Sequence, residues 1–78
     1  MTLDHNHLTA VGLALYGSHW VNELAFALDV SERSMRRWAA GTYEIPEGIR
    51  GELVSLCRAR GANLEGIARA LELEQPEE

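Results

Sequence analysis

Lysine is absent from this chain of 78 residues, and cysteine occurs once, as Cys57. A single thiol excludes an internal disulfide and offers no zinc framework. No apolar run approaches the roughly 18 residues that a membrane-spanning helix needs. No basic segment followed by an apolar stretch stands at the start, so no signal peptide is expected and a cytoplasmic location is. The residue sets of catalysis are missing too. No Ser/His/Asp or Cys/His grouping has positional logic, no glycine-rich loop could cradle a phosphate, and there is no HExxH. His5 and His7 lie two apart in MTLDHNH with no third ligand nearby, and His19 stands alone. No metal, no cofactor and no small-molecule ligand are therefore expected, and the chain does not read as an enzyme.

What is there is unevenly charged. The net charge is −5, which taken alone argues against a nucleic-acid partner. The distribution argues the other way. Six of the seven arginines fall between Arg33 and Arg60, and residues 31–41 hold three arginines against one glutamate. Residues 72–78 hold Glu72, Glu74, Glu77 and Glu78. Net charge governs long-range steering, whereas local patches decide contact. Beyond about 8 Å, surface charges are largely screened at physiological salt, so an acidic tail need not silence an arginine face. A single domain of this size buries only about 60% of its unfolded surface, and self-association would add stability.

The stretch WVNELAFALDVSERSMRRWAAG, Trp20 to Gly41, organises the rest. Leu24, Ala25 and Leu28 have helical spacing. Asp29-Val30 makes a turn, and Ser31 is the N-cap expected for a second helix reaching to about Ala40. On that helix Met35 and Trp38 share one face. At about 100° per residue, Arg33, Arg36 and Arg37 cluster nearly opposite them. Such a helix is anchored on one side and offers guanidinium groups on the other, as insertion into a nucleic-acid groove requires. Glu32 in its first turn has two readings, a partner for the helix dipole or an acceptor for a cytosine amino group.

This stretch resembles the helix-turn-helix of the lambda-repressor/Cro-like (XRE-type) transcriptional regulators, of the small kind found in phages and mobile elements. The small residue of the first helix is Ala25, the apolar residue after the turn is Val30, and the two anchors of the second helix are Met35 and Trp38. Gly41 lies three residues past the last anchor. The chain departs from the pattern at the turn, where Asp29 replaces the usual glycine, and at Val21, where a phosphate-contacting glutamine is common. The resemblance implies double-stranded DNA as partner and a homodimeric repressor. It places Glu32, Arg33 and Arg37 at base-contact positions with Arg36 beside them, and Ser31 at the start of the recognition helix. It sets Thr42 and Tyr43 in a loop along the DNA backbone. Antitoxins and regulators encoded beside anti-CRISPR genes are included in this class. A contrasting expectation keeps the fold but uses the acidic surface to bind a protein.

The flanking segments complete a compact, all-α, five-helix expectation. Residues 1–7 read as a flexible end, residues 8–73 as the DNA-binding domain, and residues 74–78 as an acidic disordered tail. Leu8, Val11, Gly12 and Leu15 mark a first helix that ends at Tyr16 before Gly17-Ser18. A second begins near His19, its free N–H groups a place for a phosphate, with Trp20 in the core. Ile45-Pro46 opens a fourth helix with Ile49, Leu53 and Leu56 as its stripe and Cys57 as a small buried residue. Gly61 ends it, Asn63 caps a fifth, and Leu64, Ile67, Ala68 and Leu71 make the last stripe. Leu53, Val54, Ile67, Leu71 and Leu73 exceed what one small core needs, which makes them the candidate dimer surface.

Overall fold

The computed structural model describes residues 3–73. It is all-helical, with helix α1 over His5–Tyr16, a 3-10 turn over Gly17–His19, α2 over Trp20–Leu28, α3 over Glu32–Ala39 and α4 over Gly48–Leu73. The described residues thus form four α-helices and a short turn, where the sequence pattern predicts five helices. The segments expected as helices four and five are one continuous helix of 26 residues. Gly61 does not interrupt it, because nothing there requires a left-handed backbone and no proline removes a donor.

α1 begins at His5, three residues before the apolar spacing starts. Asp4 is its N-cap, and its Oδ1 accepts from the His7 backbone N–H at 2.9 Å. That hydrogen bond, followed by the nearby His7 and His5 side chains, holds the Asp4 carboxyl below its ordinary pKa, while partial desolvation opposes the shift. A depressed carboxylate pKa contributes stability above the unfolded value and loses it as pH falls through the folded one. His5, Asn6 and His7 form the first turn of α1 and Asp4 caps it, whereas the sequence pattern predicts a flexible end over residues 1–7. Residues 1–2 and the tail 74–78 lie outside the described residues.

The core gathers Leu8 and Leu15 from α1, Trp20, Leu24, Ala25 and Leu28 from α2, and Met35 and Trp38 from α3. Ile45 from the loop and Ile49 and Leu53 from α4 close it. Leu8, Leu24 and Met35 are completely enclosed. Gly12 is buried because the indole of Trp20 lies directly on it, where any Cβ would overlap the ring. No described residue after Leu53 is buried. The radius of gyration of 15.7 Å exceeds the roughly 11–12 Å of a compact chain this long, since the second half of α4 projects from the body. Leu64, Ile67, Leu71 and Leu73 are 56%, 49%, 67% and 88% exposed. Cys57 is exposed, not buried, because it sits to one side of the line that Leu53 and Leu56 turn to the core.

α2 and α3 end alike. After α2, Asp29 takes a left-handed conformation (φ 59°) while Asp29 N–H donates to Phe26 O at 3.1 Å and Val30 N–H to Ala25 O at 3.0 Å. After α3, Gly41 is left-handed (φ 78°) while Gly41 N–H donates to Trp38 O at 3.1 Å and Thr42 N–H to Arg37 O at 3.0 Å. Both are Schellman ends, one built on aspartate and one on glycine. An L-residue in this conformation costs up to about 1–2 kcal/mol, less for Asp than for most. Asp29→Gly is accordingly expected to stabilise the fold by about 0.5–1 kcal/mol. A denaturation midpoint that moves down would show that the Asp29 side chain contributes more than its backbone strain costs.

Candidate nucleic-acid interface

α3 is short, and its two ends are fixed by hydrogen bonds. Ser31 Oγ accepts from Ser34 N–H at 3.0 Å and meets Ser34 Oγ at 3.1 Å. This N-cap satisfies a donor that helix geometry leaves open. The C-terminus is closed by the Gly41 motif described above. Between them, Met35 is fully buried and Trp38 nearly so, and they dock α3 onto α1 and α2. The opposite side carries Arg33 and Arg36, both exposed, with half-buried Arg37 beside them.

The three arginines differ in their surroundings. Arg33 makes no ion pair among the described residues. Arg36 Nη2 donates to Glu32 Oε1 at 3.0 Å, one helical turn back, with both side chains half or more exposed. With its amide oriented to donate, Asn22 of α2 also reaches Glu32, at 3.1 Å and 3.3 Å to the two carboxylate oxygens. Glu32 thus ties α3 to α2 and partly neutralises Arg36. Arg37 lies over the Tyr43 ring, its Cζ 4.7 Å from the centroid. The contact is a cation–π pair, worth about 0.5–1 kcal/mol at an exposed site, that restrains the guanidinium above the loop. Thr42 and Tyr43 are both exposed, and the Thr42 backbone N–H is already committed to Arg37.

Six of the seven sequence-predicted interface residues thus converge: Glu32, Arg33, Arg36 and Arg37 on α3, Ser31 at its start, and Tyr43 under Arg37. Thr42 is adjacent through its main chain. Leu24, Ala25, Met35 and Trp38 are buried behind them and Val30 is half-buried in the turn. The expected phosphate site at the start of α2 takes another form. The 3-10 turn Gly17–His19 leads straight into α2, with no side-chain cap there, and Trp20 N–H donates to Gly17 O. Asn22 escaped the sequence reading. Its one visible signal is a short polar side chain beside Glu23 in a first turn that opens with Trp20 and Val21.

The candidate dimer residues do not converge on one surface of the body. Leu53 is buried, Val54 is 45% exposed, and Ile67, Leu71 and Leu73 lie on the projecting half of α4. Among the described residues no group of three potential ligands could hold a metal ion, and no helix is long and apolar enough to cross a membrane. Comparison with known proteins finds no family model, no curated protein and no solved structure that matches this chain.

Proposed function

We propose that this chain is a sequence-specific transcriptional regulator that binds double-stranded DNA through a helix-turn-helix formed by α2 and α3. The observation that carries the reading is the two-sidedness of α3. Met35 and Trp38 hold it to the core while Arg33, Arg36 and Arg37 line the side away from Met35. In this reading the N-terminal half of α3 enters the major groove. Arg33 and Arg37 pair with guanine O6 and N7, each worth about 1–3 kcal/mol of discrimination. Arg36, shared with Glu32, contacts phosphate. Ser31, Thr42 and Tyr43 flank the groove at the two ends of α3, placed for backbone contacts that fix register without reading sequence. The regulator acts as a homodimer on an inverted repeat with half-sites about 34 Å apart, and repression of its own promoter is the simplest mode.

A second reading, a protein-interaction module on the same fold, has one specific observation in its favour. Phe26 on α2 is 88% exposed on a chain of net charge −5. One experiment separates the two: footprinting and gel shift on the DNA upstream of the protein's own gene, over a range of salt concentrations. The regulator reading expects a protected inverted repeat and an affinity that falls log-linearly with salt. Absence of any protected site at low salt, with a tight protein partner recovered on the Phe26 side, would select the second reading.

A further inference from the structure

Core burial along α4 stops at Leu53, Leu56 and Arg60 are half-buried, and every described residue after Arg60 is exposed. The apolar line does not stop there. Leu53, Leu56 and Arg60 face the body, Arg60 resting over the Tyr16 ring at 5.4 Å. Leu64, Ile67 and Leu71 continue the same three-and-four spacing into solvent. The projecting arm, residues 61–73, runs about 20 Å at helical rise. It contains Gly61 and Gly66, and at neither would a Cβ meet a side chain or another element within 4 Å. As an extension of an anchored helix the arm needs no nucleus of its own, but its two glycines weaken it by about 1 kcal/mol each against alanine. Its apolar line needs cover.

We propose that a second copy of this chain supplies that cover, the two arms pairing antiparallel about an axis at Ile67. Leu64 of each copy packs against Leu71 of the other, and the two Ile67 side chains meet. Three observations choose this occupant and this direction. Ile67 stands between Leu64 and Leu71 on the apolar line, three residues from one and four from the other, so antiparallel pairing about it covers all three in both copies. The positions flanking the line, Gly61, Asn63, Ala68 and Ala70, are small and uncharged, which suits the close approach of another helix. The Glu65–Arg69 pair, 3.7 Å apart, lies on the far side. Finally, the chain is charge-polarised. Arg58 and Arg60 precede the arm, while four glutamates occupy 72–78. Antiparallel pairing brings Glu72 of each copy toward the partner's Arg58 and the partner's Arg60, whereas parallel pairing would set Glu72 beside Glu72.

This pairing specifies the dimer assumed in the regulator reading, but its test uses no DNA, so either idea can fail without the other. An interface of this length is small, and a dissociation constant in the micromolar range is expected. Sedimentation equilibrium of the full chain should show a reversible dimer. Ile67→Asp should remain monomeric at the same concentrations with its near-ultraviolet tryptophan signal unchanged, since position 67 lies off the folded body. In a Cys57→Ser background, a mixture of Leu64→Cys and Leu71→Cys proteins should form a disulfide-linked dimer under mild oxidation, while Leu71→Cys alone should not. The proposal is overturned by a wild-type chain that stays monomeric, by an Ile67→Asp dimer, or by Leu71→Cys linking to itself as readily as the mixture does.

Discussion

Replacing Gly12 with alanine is expected to cost about 2–4 kcal/mol, the range of severe overpacking in a rigid site. Gly12 is buried on α1, and a Cβ there would overlap Cε3 and Cδ2 of Trp20 and sit 2.9 Å from Cγ. These are ring atoms attached at the base of the side chain, not the far end of something flexible. The indole cannot swing away without leaving its seat, because Trp20 is only 7% exposed and opens α2. Relief therefore requires α1 and α2 to separate, which loosens the platform under α3. A domain of this length has a total stability of about 4–12 kcal/mol, so the loss is a large fraction of it. The melting temperature should fall by roughly 10–25 °C. A fall of less than about 3 °C would mean that the helices do not meet through bare backbone at this point. Pairing the change with Trp20→Leu should recover part of the loss, and the recovered part measures the coupling between the two positions.

Arg37→Ala carries the largest expected effect on DNA binding. In the proposed complex Arg37 differs from its neighbours in being held ready: Tyr43 supports its guanidinium from below. Less side-chain freedom is left to lose on binding than for Arg33, and a restrained arginine fork suits guanine better than a mobile one. If it reads a base, its removal should weaken binding to the operator by about 1–3 kcal/mol and relax specificity at one position. If it touches only phosphate, the loss should be uniform across sequences, and the salt slope should shrink by about 0.9. Arg37→Lys should rescue the second case and not the first, since ammonium is a point charge without the fork. Affinities measured on the operator and on single-base variants at two salt concentrations decide between them. Unchanged affinity on every sequence would remove Arg37 from the interface.

The parts of the fold that were legible in the sequence are those whose signals are local and chemical. Ser31 before an amphipathic run, Asp29-Val30 as a turn ahead of it, and Gly41 three residues past its last anchor each mark a helix end by a local conformational need. The structure shows a cap or turn at each of them. Asp4 carried the same kind of signal but precedes the apolar spacing, and spacing alone starts α1 too late. The break expected at Gly61 shows the opposite failure. A glycine in a helix weakens it by roughly 1 kcal/mol without ending it, and only a required positive φ or a missing donor would end it. The stripe from Leu53 through Leu56, Arg60, Leu64 and Ile67 keeps phase across Gly61, which a loop would have reset. The link between Asn22 and Glu32 was beyond reach, because it depends on the angle at which α2 and α3 cross.

The seat of α3 has a consequence for how the proposed regulator could change its target. Its orientation is set by main-chain hydrogen bonds at two turns, by the Ser31 cap, and by Met35 and Trp38 on the hidden side. Most of these lie apart from positions 33, 36 and 37. The scaffold and the outward text are written in separate residues, so those three letters can be exchanged as a set while the frame that displays them is left unedited.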